Sequence, residues 1–521
     1  MTEEVAVESE VELKLALAKK EQQRFLRHPL LEQATHRQTQ LLDNTYCDTP
    51  DLALCRQGMA LRLRRQGRRW LQTVKLAGNA AAGLASRPEW EVPYKGQFDF
   101  SAITAKKVRT WLQRPHLLAQ LTPIFNTRFQ RQTWRFAAAH GAVLLTLDRG
   151  WITAGDERTE ISEIELELEH APLNALFDLA LPLAESMTLT PAVRSKAERG
   201  YQLYSHIPPQ PVKAPNISIS PDLSPLAALR TIALACLEHL QQNHDGALHT
   251  EDPEYIHQMR VATRRLRAAL RIFSPLLSAG FTSVLKDGFT PLMMQLGQVR
   301  DLDVLHAEIV APVLATMPHK RRGKDKSSLA PLLSVIDQHR QHARQQAITL
   351  LDSPAYGHAL LAALQTLHAQ ETSTSTKAPK NAPKLSRFAA KRLRSTSQHV
   401  LRHIRSVNDQ DATSLHDLRI AIKRLRYAMD FFSSLTMLQN LPPLLPQLIL
   451  LQDTLGQIND LSQAGKWLME HTENDPSARE TVALIGNWHV QHHAQLLASL
   501  PPALRRLEKQ LEKLATHLKP H

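Results

Sequence analysis

Glu10-Val11-Glu12-Leu13-Lys14-Leu15 alternates charged and apolar residues. A β-strand sends successive side chains to opposite faces, so Glu10, Glu12 and Lys14 share one face and Val11, Leu13 and Leu15 the other. A single solvated strand would read the same way. The pattern recurs, however. Arg62 and Arg64 share a face, Glu89 and Glu91 flank Trp90, and Glu163, Glu165, Glu167 and Glu169 alternate with Ile164, Leu166 and Leu168. If these strands belong to one sheet closed on itself, both signs of charge line its interior. Such an interior suits a polyanion held together with a divalent cation.

The chain has 521 residues, enough for two or three domains. It holds no apolar run long enough for a transmembrane helix, so no membrane partner is expected. Met1-Thr2-Glu3-Glu4 is acidic and lacks the basic-then-apolar order of a secretion signal. Cys47, Cys55 and Cys236 form neither a metal spacing nor a disulfide framework, which fits the reducing cytoplasm. The net charge of +13 implies acidic partners. Residues 1–205 carry 27 Lys and Arg against 24 Asp and Glu, so most of the excess lies in the remainder. Most of the 25 histidines lie there too.

Ile207-Pro208-Pro209-Gln210-Pro211-Val212-Lys213-Ala214-Pro215 reads as an extended linker. Before it, alternation predicts strands near 8–17, 38–47, 59–66, 69–76, 88–95, 124–136, 142–149 and 161–170. Short helices are expected at 50–57, 101–113 and 172–184. Eight antiparallel strands suffice to close a barrel, and closure removes exposed edges. Residues 65–69 and Asp148-Arg149-Gly150 read as turns. After the linker, apolar residues recur at three- and four-residue steps, the helical period. Two low-complexity stretches, His319–Lys326 and Glu371–Lys377, read as disordered loops.

The helical half repeats itself. His257-Gln258-Met259-Arg260 matches His416-Asp417-Leu418-Arg419. Arg264-Arg265-Leu266-Arg267 matches Lys423-Arg424-Leu425-Arg426. Leu296-Gly297-Gln298 with Asp301 matches Leu455-Gly456-Gln457 with Asp460, all at an offset of 159. Two copies of one helical bundle are implied.

In the first copy His257, Arg260, Arg264, Arg267 and Arg271 draw one stripe down a helix; in the second the stripe is His416, Arg419, Lys423 and Arg426. Carboxylates at four-residue spacing are scarce, with only Asp430 continuing a stripe. Unpaired cations in a row repel, so an anion is expected to compensate them. Arginine forks bind phosphate oxygens in pairs, and a linear polyanion suits the geometry. Nucleic acid is disfavoured, because aromatic residues are not interleaved with the basic ones as stacking platforms. Asp301 and Asp460 are candidates to orient arginines, and equally to form caps or buried ion pairs.

The strand half holds neither Gly-x-x-x-x-Gly-Lys-[Ser/Thr] nor Gly-x-Gly-x-x-Gly. Phosphate would therefore be bound by side chains. Candidate cations are Lys14, Arg62, Arg64, Lys75, Arg131 and Lys196; candidate metal ligands are Glu10, Glu12, Glu165 and Glu167. Magnesium and manganese prefer oxygen ligands.

Glu10-x-Glu12-x-Lys14 resembles the signature of the CYTH superfamily, the triphosphate tunnel metalloenzymes. The resemblance runs through Tyr46–Pro50, Leu61–Arg64, Thr73–Lys75, Glu89–Glu91, Glu163–Glu167 and Ser195-Lys196. It covers residues 5–205. Residues 223–515 resemble a CHAD domain, with repeats at 223–370 and 384–515 and a linker at 206–222. The combination resembles bacterial CYTH–CHAD proteins similar to inorganic triphosphatase.

This resemblance implies a multidomain chain: an eight-stranded antiparallel β tunnel with a few helices, then an all-α pair of repeated bundles. It implies hydrolysis of inorganic triphosphate to diphosphate and phosphate with Mg2+ or Mn2+. Glu10, Glu12, Glu165 and Glu167 would hold metal and position water. Lys14, Arg62, Arg64, Lys75 and Arg131 would bind phosphates, with Lys196 near the attacking water or leaving group. Glu89, Glu91 and Asp148 would act there or pair with wall arginines. The CHAD half would bind inorganic polyphosphate through His257, Arg260, Arg264, Arg265, Arg267, His416, Arg419, Lys423, Arg424 and Arg426. A cytoplasmic protein associated with polyphosphate granules is the corresponding location. Alternatives on the same fold are a thiamine- or nucleoside-triphosphatase, an adenylate cyclase, and a non-catalytic polyphosphate binder. Two departures stand out: nine residues precede the first motif, and Lys423 and Asp430 replace the arginines of the first stripe.

Overall fold

A computed structural model describes residues 9–316, 326–373, 384–435, 444–472 and 476–518. They form two compact units: residues up to Pro211 together with Asp352–Ala369, and Val212–Leu351 together with Gln370 onward.

The first unit is built on ten strands: β1 (Ser9–Leu17), β2 (His36–Asp48), β3 (Met59–Gln66), β4 (Arg69–Leu76), β5 (Asn79–Ala81), β6 (Leu84–Pro93), β7 (Thr122–Ala138), β8 (Gly141–Ala154), β9 (Glu157–Glu169) and β10 (Leu189–Pro191). Their order is β10-β1-β9-β8-β7-β2-β3-β4-β6-β5, and β1 also pairs with β6. That pairing closes eight antiparallel strands into a barrel, with β5 and β10 as short additions. Two-residue loops with Gly67 and Gly155 at positive φ turn β3 into β4 and β8 into β9.

The expected turn at Asp148-Arg149-Gly150 is instead the middle of β8. A Cβ on Gly150 would lie 2.1 Å from the Arg128 carbonyl oxygen, so this glycine permits close strand approach. The outer face of β9 packs Ile164 and Leu166, both fully buried, and the helix Asn174–Ser186 buries Leu176, Phe177, Ala180 and Leu183 beside it. The helix Pro354–Ser373, expected within the first repeat, joins this unit up to Ala369, where Phe177 stacks on His368 at 6.4 Å.

Residues 208–220, which include most of the expected linker, carry neither helix nor strand. The second unit is helical. Pro253–Phe273 and Ala412–Phe431 begin 159 residues apart, the offset of the sequence repeat, and pack on each other. Thr290–Val304 and Leu444–Thr472 carry the two Leu-Gly-Gln motifs. Among the described residues, no helix is long and apolar enough to cross a membrane. Most of the two expected loops lies outside the described residues; of them, Glu371–Ser373 and Lys326 fall within helices.

Candidate functional site

Cross-strand register settles which way the charged rows point. Residues directly opposite each other share a face. Glu12 lies opposite Glu167 and Lys14 opposite Glu165. Glu165 lies opposite Thr146, Glu163 opposite Asp148, and Asp148 opposite Arg131. Asn44 lies opposite both Thr127 and Arg64, and Tyr46 opposite Arg62. Arg62 faces Thr73, Thr73 faces Glu91, and Lys75 faces Glu89. Glu10 lies opposite Arg87, which completes the circuit. The described side chains among them line one face, the inside. An apolar layer of Leu42, Phe129, Ile152 and Ile161 follows at one end, joined by Tyr201 of the helix Lys196–Ser205.

Ion pairs organise the interior. Lys196 Nζ lies 2.7 Å from Asp148 Oδ2 and 3.0 Å from Glu165 Oε1, and also contacts Glu163. Arg131 forks onto Asp148 at 2.7 and 2.6 Å and reaches Glu165. Lys14 Nζ is 3.2 Å from Glu165 and 3.5 Å from Glu12. Burial works against the Glu165 carboxylate, but Lys196, Lys14 and Arg131 outweigh it and hold its pKa well below the usual range. Burial likewise opposes the Lys196 ammonium, yet Asp148, Glu163 and Glu165 raise its pKa above the ordinary lysine value. Lys196 is thus a fixed cation and not a base.

On the opposite wall Arg62 pairs with Glu89 at 3.1 Å, and Lys75 contacts Glu89 as well. Arg64 differs. Its Nε donates to Asn44 Oδ1 at 3.0 Å, and among the described residues no carboxylate pairs with it. Burial, and then Arg62, pull its pKa down to about 10. It is a cation held ready for an anion.

Asp148, Glu163 and Glu165 bring one oxygen each within 4.8 Å of the others. Lys196 and Arg131 already satisfy that group. Glu12 and Glu167, directly opposite each other, bring two further carboxylates to the same face. A hard divalent cation with oxygen ligands suits this pair. The Glu10 side chain, and Glu8 altogether, lie outside the described residues.

Sequence reasoning missed Arg87, Thr146 and Asn44, and gave Glu163 no role of its own. The Nε of Arg87 and Oγ1 of Thr146 are buried without a hydrogen-bond partner. Extending the alternation of β6 and β8 by one step would have found both.

In the helical unit the two stripes meet. Arg260 and Arg264 from one helix, and Arg419 and Arg426 from the other, surround Lys423. Lys423 makes no ion pair or hydrogen bond among the described residues. Burial, followed by those four arginines, pushes its pKa down to about 6. Arg264 Nε donates to the Tyr427 hydroxyl at 2.6 Å, and the Arg426 guanidinium covers the Tyr427 ring at 4.6 Å. Asp301 lies 3.7 Å from Arg260. Gly297 leaves room for Arg260: a Cβ there would lie 2.7 Å from Nη1. His416 Nδ1 is 2.9 Å from Asn459 Oδ1, and His257 lies beside Arg300.

Arg265 departs from the expectation. It is 3% exposed, donates to the Pro215 carbonyl at 3.0 Å and lies 3.4 Å from Asp430. Arg265 and Asp430 therefore face away from the groove. Arg271 and Arg424 lie beside His399, and Arg267 lies near Arg424.

Residues 8–201 match the family model of the CYTH domain, and residues 231–469 that of the CHAD domain. The chain joins a CYTH domain to a CHAD domain. It is 34% identical over 200 residues to an inorganic triphosphatase of Haemophilus influenzae, an alignment covering 38% of this chain and 55% of that relative. The CHAD domain of the plant Ricinus communis matches with 28% identity and a TM-score of 0.46, covering 58% of this chain and 96% of that one. A Hippeastrum protein described as a putative adenylyl cyclase with dominant triphosphatase activity matches with 17% identity and a TM-score of 0.30. It covers 37% of this chain and 95% of its own.

Proposed function

We propose that the CYTH domain hydrolyses inorganic triphosphate to diphosphate and phosphate with Mg2+ or Mn2+, and that the CHAD domain binds inorganic polyphosphate. The observation that carries the first half is the register that turns Glu12, Lys14, Arg62, Arg64, Arg131, Glu165 and Glu167 onto one enclosed face. The similarity to an inorganic triphosphatase supports the choice of substrate.

Arg62, Arg64, Lys75 and Arg131 neutralise phosphate oxygens, with Arg64 a wall cation that no carboxylate pairs with among the described residues. Glu12 and Glu167 hold the metal, with Glu10 and Glu165 as further oxygen donors. The metal, when bound, withdraws charge from the phosphate oxygens and acidifies water. Glu165 stays ionised and accepts a hydrogen bond from the attacking water, orienting it toward the terminal phosphorus. The water oxygen bonds to the terminal phosphorus as the bond to the bridging oxygen breaks, diphosphate leaves with that electron pair, and the water's proton stays on the phosphate product or passes to solvent. Lys196 fixes Glu165 and supplies positive charge near the site. In the CHAD domain, Arg260, Arg264, Arg419, Lys423 and Arg426 compensate a chain of phosphates.

The test is phosphate release from triphosphate, thiamine triphosphate and ATP with each metal, alongside cyclic AMP formation. Triphosphate is expected to be turned over fastest, and chelation to abolish turnover while leaving the fold intact. Glu165→Gln with Glu167→Gln should abolish turnover and leave polyphosphate binding unchanged. Turnover that survives in the double variant refutes the metal assignment. Absence of turnover with every substrate and metal leaves the non-catalytic binder.

A further inference from the structure

The CHAD repeat is symmetric in sequence but not in how its two flanks are covered. Carrying the offset of 159 residues across the unit pairs Asn243 with Arg402, Arg265 with Arg424, and Arg271 with Asp430. On the first flank the chain itself supplies oxygen acceptors. The Val212 carbonyl accepts from Asn243 Nδ2 at 3.0 Å and lies 2.9 Å from His239 Nε2. The Pro215 carbonyl accepts from Arg265 at 3.0 Å, and Asp430 stands 3.4 Å from the same guanidinium. Backbone oxygens and one carboxylate thus answer Asn243 and the Nη2 of Arg265, while Nε and Nη1 of Arg265 stay buried without a partner, as Nε does in Arg392 and Arg424.

The second flank has the donors without the acceptors. Arg402 Nη2 is 3.3 Å from His399 Nδ1, and Arg424 Nη1 is 3.5 Å from His399 Nε2. A neutral imidazole carries one acceptor and one N–H, so one of these two contacts sets donor against donor. Arg392 reaches only the Arg271 carbonyl, at 3.5 Å, and the Nε atoms of Arg392 and Arg424 are buried without a partner. Among the described residues Arg267, Arg271, Arg392, Arg402 and Arg424 make no ion pair. The nearest acidic influence on Arg424 is Asp417, an exposed residue of its own helix.

We propose that Arg271, Arg392, His399, Arg402 and Arg424 form a second oxyanion site, which takes the phosphates of a long polyphosphate chain leaving the central groove. This rests on the reading of the CHAD domain as a polyphosphate binder. Arg264 and Arg271 are two helical turns apart, about 10 Å along the axis, so one chain can run from groove to flank. The aromatic residues of these helices, Tyr255, Phe273, Phe388, Tyr427 and Phe431, are buried and offer no platform for bases, which favours an inorganic chain over nucleic acid.

The experiment uses the full chain with long-chain polyphosphate, measuring Kd across a salt series, with melting temperature as the folding control. Arg271→Glu with Arg392→Glu should weaken binding at least about tenfold and make the logarithmic salt slope shallower by about 0.7 to 0.9 per lost contact. If that reversal lowers the melting temperature, Arg271→Gln with Arg392→Gln should show a smaller loss in the same sense. Unchanged affinity and slope in a folded variant overturn the second site. A parent protein that binds no polyphosphate overturns the underlying reading as well.

Discussion

The proposed binding of long-chain polyphosphate should depend on pH through Lys423, in a window where neither the internal phosphates of the chain nor arginine titrates. In the empty groove burial and Arg260, Arg264, Arg419 and Arg426 push its pKa down to about 6. Arg300 and Asp301 lie on the neighbouring helix Thr290–Val304, Asp460 on Leu444–Thr472, and Tyr427 on its own helix; none makes an ion pair with Lys423. A bound polyanion restores the ordinary preference for the charged form, so binding takes up a proton. Between about pH 7 and 9 each unit of pH should raise Kd about tenfold, and the two units together about a hundredfold. His257, already held below its ordinary value, stays neutral throughout and contributes nothing. Lys423→Arg should flatten the dependence, because a guanidinium remains charged across this range. Calorimetry in buffers of different ionisation enthalpy, at fixed salt, reads the proton directly. The reasoning is refuted by an affinity that does not change from pH 7 to 9, or by a Lys423→Arg variant that keeps the slope. Stability runs opposite to affinity. Above about pH 6 the folded groove holds neutral Lys423, whereas the unfolded chain keeps it charged up to its ordinary 10.5, so the unfolded state binds more protons and stability rises with pH across that interval.

Lys196→Met should leave Asp148 and Glu163 facing each other without that cation in a buried site, at a cost of about 3–5 kcal/mol read by denaturant unfolding; a loss below about 1 kcal/mol would mean that solvent already screens them. Gly150→Ala forces a methyl group against the Arg128 carbonyl and Phe129, and should destabilise the CYTH domain by on the order of 2 kcal/mol while leaving the unfolding of the CHAD domain unaltered.

The barrel was largely legible because each strand carries its own two-residue period. β3 and β4 match their expected bounds residue for residue, and the closing pair of β1 with β6 follows from eight strands needing no edge. The failures have local causes. Asp148-Arg149-Gly150 reads as a turn because its residues favour turns, yet pairing on both sides of β8 overrides that preference. Arg265 entered the expected polyphosphate-binding set through the resemblance and not through the stripe, and an arginine in a helix pattern does not say which face residues 212–215 will cover. Likewise the partition of inner cations into paired and unpaired ones, Arg62 against Arg64, depends on neighbours two strands away. Charge alternation tells which side a residue faces and is silent about what waits across the lumen.

Closure of the barrel through β1 has a consequence for biosynthesis. A ribosome delivers β1 first, but its neighbours β6 and β9 emerge only later. Until then Glu12 and Lys14 have neither Glu167 nor Glu165 opposite them, and the nascent hairpins β3–β4 and β7–β8 must form without their staves joined. Of the barrel strands, the first made is therefore among the last to be sealed, and this non-local closure is a slow kind of contact to form.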